Sequence, residues 1–375
     1  MKALSLFANI GVAEAYLKEV GIDVVLANEL VPRRAKLYES IYPDSKMICG
    51  SILDKQVQDV IKKEAKDLGV ELIMATPPCQ GVSRAGKRLD IDIRNSLILP
   101  VLDLIDVIQP KYVFIENVPQ FMEAEIEVDG ELVLLPEYIT SRVRKHYTVK
   151  NQVINTSDYS VPQTRLRTIF LMTKKGLPKW EFPEKDEKVI TIEDAIGDLP
   201  SLDPFVSDVS KDELLTMFPE YTKKKDAAVK FSPWHRPPAH IKRQVVTMMH
   251  TPTGKTAFDN EKYIPRKKDG TPVSGYKSTY RRLRWVSPAS TVTMDNRKIS
   301  SQNNVHPGRF LGEDENGDVV YSDPRALTLF ELMRVMSLPD NWPLPTSTQE
   351  TFVRSVIGEG IPPLFIKKLF ANLRG

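Results

Sequence analysis

Four short stretches of the sequence hold residue types that can do chemistry together. The first runs Thr76, Pro77, Pro78, Cys79, Gln80, Gly81, Val82, Ser83. Two prolines fix the backbone ahead of a thiol and deny it strand pairing, so Cys79 stands at a rigid corner. Arg84, Lys87, Arg88 and Arg94 follow, and their positive field favours the thiolate, the nucleophilic form of cysteine. The plainer alternative is an inert core thiol, the reading that suits Cys49 on its apolar run. The second stretch is Glu116, Asn117, Val118, where an apolar run ends in a carboxyl group able to hand over a proton. In the third, Gln163, Thr164, Arg165, Leu166, Arg167, strand alternation puts two guanidinium groups on one face. Such a pair can bind a phosphate or a pyrimidine carbonyl, or serve as surface ion-pair partners.

The fourth stretch is Phe7, Ala8, Asn9, Ile10, Gly11, a tight turn, with Glu29 eighteen residues beyond Gly11. An acidic residue at that spacing can accept both ribose hydroxyls of a nucleoside cofactor. A solvated carboxylate at a helix start is the alternative for Glu29. Asn9, Gly11 and Glu14 match one of the three glycines of a dinucleotide fingerprint, so a nucleoside cofactor without pyrophosphate, such as S-adenosylmethionine, fits better.

These stretches need a scaffold that brings them to one edge. Short apolar runs alternate with longer amphipathic ones over the first 172 residues, the pattern of a doubly wound α/β domain with a parallel sheet. Strands are predicted at 3–7, 23–27, 46–49, 71–75, 112–116, 148–154 and 168–172, and a helix at 54–68, where Val57, Val60, Ile61 and Ala65 share a face. A small hairpin turns at Asp129 and Gly130. After Met172 the chain becomes Pro-rich, Lys-rich and irregular, which predicts a smaller domain of loops and short strands. The expected organisation is a catalytic and cofactor-binding domain at 1–174, a smaller irregular domain at 175–325 and a returning segment at 326–375 that completes the first. Within that segment 327–336 reads as helix, and 352–373 as a strand-like piece followed by an amphipathic helix.

Length and charge sharpen the partition. A chain of 375 residues exceeds the roughly 250–300 at which one core divides. Its 41% hydrophobic and 27% charged residues exclude disorder and fibrous repeats. Two cysteines are too few for a disulfide scaffold and lack zinc-site spacing, which points to a reducing, cytoplasmic location and no metal. The opening mimics a secretory leader, but Asn9 interrupts the apolar run and Glu14, Lys18 and Glu19 follow, so no leader and no membrane segment are expected. The net charge of +3 hides an asymmetry: residues 221–309 hold 19 Lys plus Arg against 5 Asp plus Glu, leaving 33 against 44 elsewhere. With Trp234, Tyr263, Tyr276, Tyr280 and Trp285 between the cations, this block has the composition of a polyanion-binding face.

Taken in order, 77–83, 116–118 and 163–167 resemble the motif set of cytosine-5 DNA methyltransferases of the bacterial modification type. Arg94, Asn95 and Leu99 are similar to that family's fifth motif, and Asp158, Tyr159, Ser160, Val161, Pro162 to the lead-in of the eighth. The run from Arg325, Ala326, Leu327, Thr328 through Glu331, Arg334, Leu338, Pro339, Asp340 resembles the ninth, and Ile357, Gly358, Glu359, Gly360, Ile361, Pro362, Pro363 the tenth. In the family the interval between the eighth and ninth is the target-recognition region, which here coincides with the basic block. The chain departs from the family where glycines usually stand in place of Asn9 and Val12, Asp in place of Ser51 and Asn in place of Glu359. All these positions lie on the cofactor side.

The resemblance implies transfer of a methyl group from S-adenosylmethionine to carbon 5 of a flipped-out cytosine in double-stranded DNA. It assigns catalysis to Cys79, Glu116, Arg165 and Arg167. Cofactor contacts are implied for Phe7, Ala8, Ile10, Gly11, Glu29, Leu30, Ser51, Ile52, Pro78, Leu99 and Glu359. DNA contacts are expected from Gln80, Ser83, Arg84, Lys87 and Arg88, on a loop that can close over the site, and from Arg281, Arg282 and Arg284 in the basic block. A monomer is expected, with a cognate restriction endonuclease as a companion that acts on the same site without direct contact. A tRNA methyltransferase of the same fold is disfavoured, because that branch carries a Cys, Phe, Thr signature and no cysteine follows Cys79. A catalytically idle DNA-binding member would not need Cys79 and Glu116 together. A thiol hydrolase finds no partner signature around His146, His235, His240, His250 or His306.

Overall fold

The computed structural model describes residues 1–78, 97–128, 130–260, 262–267 and 269–373. These divide into two compact units, one of Met1–Tyr159, Arg165–Asp186 and Pro362–Gly375, the other of Ser160–Thr164 and Glu187–Ile361.

The first unit is built on strands β1 (Lys2–Leu6), β2 (Asp23–Glu29), β3 (Lys46–Cys49), β4 (Leu72–Ala75), β5 (Tyr112–Asn117), β8 (Tyr147–Asn155) and β9 (Leu166–Lys174), with a hairpin of β6 (Glu125–Val128) and β7 (Glu131–Leu134). The seven-stranded sheet has the order β3-β2-β1-β4-β5-β9-β8. Its first five strands run parallel, and β9 pairs antiparallel with both β5 and β8. Helices α1 (Pro32–Ile41), α2 (Lys55–Leu68), α3 (Ile98–Ile108) and α4 (Leu135–Val143) connect them. The seven strands lie close to where they are predicted, and the central ones are continuously apolar because they are covered on both faces. β4 is buried at every position, and so is β5, the charged Glu116 included. Cys49 differs from expectation: β3 is an edge strand and its thiol is exposed, not buried.

The second unit contains α5 (Ile192–Ile196), β10 (Phe205–Val206), α6 (Lys211–Met217), α7 (Tyr221–Phe231), β11 (Ala239–His240), α8 (Lys242–Met249), β12 (Phe310–Glu313), β13 (Val319–Tyr321), α9 (Leu329–Val335) and α10 (Glu350–Ile357). Its regular elements between 190 and 250 are mostly short helices where short strands were expected. Side-chain caps start several of them: Ser210 accepts from the Glu213 amide, and Thr191 and Thr328 form reciprocal capping boxes with Asp194 and Glu331. Residues 352–357 are helical within α10, not strand-like.

The expected boundaries shift at three places. Residues 326–361 belong to the second unit, not the first, because buried arginines tie them in. Arg325 donates to Glu331 at 2.8 and 2.9 Å, to Asp323 at 2.9 Å and to the Leu202 carbonyl at 2.7 Å. Arg354 donates to the Leu327 carbonyl, while Asn296 donates to that of Arg354. The chain returns to the first unit only with α11 (Pro363–Ala371), where Trp180 Nε1 donates to the Leu369 carbonyl. Residues 160–164 also join the second unit, through backbone bonds between Pro162, Thr164 and Ala289. Residues 175–186 stay with the first, held partly by Lys185 against Asp158. No helix among the described residues is long and apolar enough to cross a membrane.

Arg282 is a second such anchor, fully buried and donating to the carbonyls of Met248, His306 and Ser322. Replacing Arg325 with Met leaves Asp323 and Glu331 buried without their cation, and chemical denaturation is expected to show a loss of about 3–5 kcal/mol. Arg282→Ala strands three carbonyl groups and should cost on the order of 3 kcal/mol, whereas Arg284→Ala, at an exposed position, should stay within roughly 0.5 kcal/mol.

Candidate active site

The strand order reverses between β1 and β4, so the loops leaving these strands diverge and open a crevice at their carboxyl ends. The loop after β1 is the turn at 7–11. Phe7 (φ 59°) and Asn9 (φ 51°) are left-handed although neither is glycine, and Gly11 (φ 81°) follows. Only glycine fits at Gly11, where an added Cβ would run into the Tyr42 ring. The turn is fastened on several sides. Ala8 N–H donates to the Asn28 carbonyl, Gly11 N–H to that of Ala8, and the Tyr42 hydroxyl to that of Gly11.

Glu29, at the end of β2, is the partner of the turn in the crevice. Its Oε2 accepts the Asn9 amide at 2.9 Å and its Oε1 accepts the Val31 amide at 2.8 Å. Each oxygen keeps a lone pair. The carboxylate is therefore oriented by backbone and able to accept two further donors, which is what a ribose presents. Phe7, in the turn, is half-buried, while Ala8 and Ile10 are buried and offer a ligand only their backbone. Ile52 is likewise buried, Ser51 and Leu99 are half-buried, and Leu30 is 62% exposed. Pro78 is exposed at the mouth of the β4 loop. Glu359 is half-buried in the second unit.

The loop after β4 is fixed up to its second proline. Asn117 Nδ2, from the end of β5, donates to the Pro77 carbonyl at 3.1 Å, and Asn117 Oδ1 accepts the Val118 amide at 2.9 Å. Cys79, Gln80, Ser83, Arg84, Lys87 and Arg88, and with them Arg94 and Asn95, lie outside the described residues. Next to Asn117, Glu116 pairs across the sheet with Ile169. Arg167, two residues before Ile169, shares that face as a diagonal neighbour. Its Nε donates to Glu116 Oε1 at 2.6 Å, and both side chains are nearly buried. Arg165 follows the same alternation into full burial. Burial and the adjacent Arg167 charge push its guanidinium well below the ordinary arginine value, against the pull of Glu116. Arg165 and Arg167 thus share a face as their spacing predicted, and the register of β5 and β9 brings them to Glu116.

The basic block needs correction at Arg282, which is fully buried, its guanidinium bonded to carbonyls inside the second unit rather than presented to DNA. Arg281 is half-buried and Arg284 exposed. Of the five interleaved aromatic residues, Trp234 and Tyr280 are core, and Tyr263 stacks on His250 with ring centroids 3.8 Å apart. Trp285 is covered by the Arg309 guanidinium, and only Tyr276 is well exposed, at 69%. Lys255, Arg266, Lys267, Lys277, Arg284 and Arg297 are exposed, and none forms an ion pair among the described residues. Sequence reasoning missed Tyr42 and the tether from Asn117 to Pro77. A tyrosine at a helix end carries no signal of its own, and an asparagine's partner is set by the neighbouring strand.

The chain is similar to known proteins along nearly its whole length. The family described as C-5 cytosine-specific DNA methylase matches residues 1–374. The chain is 40% identical over 371 residues to a Type II methyltransferase, M1.HgaI of Avibacterium volantium, covering 98% of this chain and 96% of that protein. It is 25% identical to M.XorII of Xanthomonas oryzae pv. oryzae, over 97% of this chain and 82% of the other. Among solved structures, a prophage-encoded protein of E. coli described as a DNA modification methyltransferase aligns with a TM-score of 0.65 at 20% identity, covering 100% of this chain and 98% of that one. The last likeness shows the fold, and the family match over nearly the whole length shows the rest: the chain belongs to the C-5 cytosine-specific DNA methylase family.

Proposed function

We propose that this methyltransferase acts on a cytosine turned out of double-stranded DNA, with Cys79 as nucleophile, Glu116 as the partner of ring nitrogen 3 and S-adenosylmethionine held in the crevice between β1 and β4. The observation that supports the reading is the convergence of Arg165 and Arg167, at the start of β9, on Glu116 of β5, beside Asn117, which fixes Pro77 two residues before Cys79. The crevice fits the cofactor in its acceptors: the Glu29 carboxylate has two acceptor sites for ribose hydroxyls, and Phe7, in the turn whose Asn9 amide Glu29 accepts, is half-buried. S-adenosylmethionine, when bound, supplies the methyl group.

The chain's own residues do the rest. Carbon 5 of cytosine is a poor nucleophile, and the Cys79 thiolate makes it a good one by forming a bond to carbon 6. The electron pair displaced into the ring is stabilised at nitrogen 3 by Glu116, through protonation or a strong hydrogen bond. Carbon 5 then takes up the methyl group. Loss of the carbon 5 proton, release of the nitrogen 3 proton and breaking of the sulfur bond to carbon 6 restore the ring and the thiolate. Arg165 and Arg167 fix the carboxyl group and offer cations to the base carbonyl and the flanking phosphate. Stacking covers both faces of a paired base, so the base must leave the helix at a cost of a few kcal/mol. The second unit, with its exposed unpaired cations, serves as the target-recognition domain and binds the phosphate backbone. The protein works as a monomer in the cytoplasm, and an endonuclease of the same specificity acts separately.

Two measurements test these assignments. Cys79→Ala should abolish methylation while retaining DNA and cofactor binding, and wild-type protein should form a covalent adduct with DNA containing 5-fluorocytosine, whose fluorine cannot leave as a cation. An adduct formed by Cys79→Ala would remove the cysteine from the mechanism. For the cofactor, Glu29→Ala should weaken S-adenosylmethionine binding by about 1.5–3 kcal/mol in calorimetry, with a much smaller effect of Ser51→Ala.

A further inference from the structure

Glu14 has no part in the chemistry above, yet it is an expensive residue to keep where it is. It lies three residues beyond Gly11 in the segment that follows the turn, and it is buried. Ser5, on β1, donates its hydroxyl to Glu14 Oε1 at 2.7 Å. From α1, Tyr38 brings a fully buried phenol into its field, and the same helix ends at Tyr42, which holds the Gly11 carbonyl. Ser45 is buried beside Tyr38. These neighbours are hydroxyl groups, and among the described residues no Lys, Arg or His forms an ion pair with Glu14. Burial pushes its carboxyl up to about 7, although the Ser5 hydrogen bond pulls the other way.

A carboxyl group in the core without a counter-ion stabilises nothing by itself, since desolvation disfavours its charge. It becomes useful when a cation arrives. S-adenosylmethionine brings a sulfonium and an ammonium. We propose that Glu14 is a positioning residue for the cofactor: held behind the turn at 7–11 by Ser5, its carboxylate answers the positive charge of the bound cofactor, so that binding releases the Glu14 proton. The inference rests on the reading that this turn holds the cofactor.

Linkage fixes the sign. If the cofactor's charge favours ionised Glu14, the free protein holds more protons than the complex around neutrality. Affinity must then rise with pH, by at most roughly tenfold per unit, and binding must release protons. Calorimetry of the full-length protein with S-adenosylmethionine at pH 6, 7 and 8, in two buffers of different ionisation enthalpy, reads both quantities. Wild type should gain affinity and release up to one proton per cofactor. Glu14→Gln should show neither the Glu14 component of the pH profile nor its proton, and at pH 8 should bind several-fold more weakly. The cofactor's own amino group titrates alike in both proteins. S-adenosylhomocysteine, which lacks the sulfonium charge, should show a flatter profile with wild type. Ser5→Ala supplies a second variant: losing a hydrogen bond that favours the carboxylate, it should move the midpoint to higher pH. Superimposable profiles and equal proton release for wild type and Glu14→Gln, or an unmoved midpoint in Ser5→Ala, would overturn the proposal. Phe7→Ala separates the two readings. If it leaves binding intact, the cofactor lies elsewhere; if it abolishes binding while Glu14→Gln behaves as wild type, only the role of Glu14 fails.

Discussion

The chain leaves β1 toward β2 and β3 on one side and comes back to add β4 and β5 on the other. Crossover segments that depart in opposite directions cannot cover the ends of the two central strands, so their first residues frame a crevice. That constraint decides where chemistry can sit in the first unit. The residues with a distinctive donor and acceptor pattern follow β1, β2, β4 and β5 directly: the turn at 7–11, Glu29, Pro77 and the pair Glu116, Asn117. Most residues earlier on the same strands are apolar and buried and hold the sheet together, Ser5 of β1 and Asn28 of β2 being buried polar exceptions.

The turn after β1 shows what the arrangement costs. Left-handed backbone at Phe7 and Asn9 is worth roughly 1–2 kcal/mol of strain at each residue. The amide of Asn9 is aimed at Glu29 by that conformation, and the Ala8 amide reaches Asn28 on the neighbouring strand. The carboxylate that stabilises the turn is the one that the proposed function offers to the cofactor. Shape and recognition are therefore not separable at Glu29, and a residue that merely capped the turn without charge would leave the crevice with fewer acceptors.

The sheet was legible because its central strands β1, β4 and β5 are apolar throughout or nearly so, and because Glu116 and Arg167 interrupt the pattern at the strand termini. Arg165 and Arg167 were readable as neighbours from alternation alone, but their meeting with Glu116 depends on the antiparallel register of β5 and β9, which no local pattern encodes. The second unit was harder to read. Pro200, Pro204, Pro219, Pro233, Pro237 and Pro238 suggest irregular chain, yet α6 to α8 fit between and after the prolines, and the cue was the capping pattern of Ser210 with Glu213. Cys49 was misplaced for a different reason: a strand at a sheet edge looks in sequence like one in the middle.

The charge of the second unit is the deepest case of one sequence feature serving two ends. An irregular domain leaves many carbonyl groups without a ladder partner, and a buried carbonyl must be satisfied by something. An arginine, with five donors in a rigid fork, can satisfy several at once. Arg282 does this for Met248, His306 and Ser322, and Arg325 for Leu202 and Ala326 while neutralising Asp323 and Glu331. Part of the surplus of cations in 221–309 is therefore a consequence of the scarcity of regular structure. Composition cannot distinguish such an arginine from one that meets a phosphate, because both are bought by the same need for a planar array of donors. Burial distinguishes them. What remains for the proposed polyanion contact after the interior cations are removed is side chains such as Lys255, Arg266, Lys267, Lys277, Arg284 and Arg297, which are exposed and form no ion pair among the described residues.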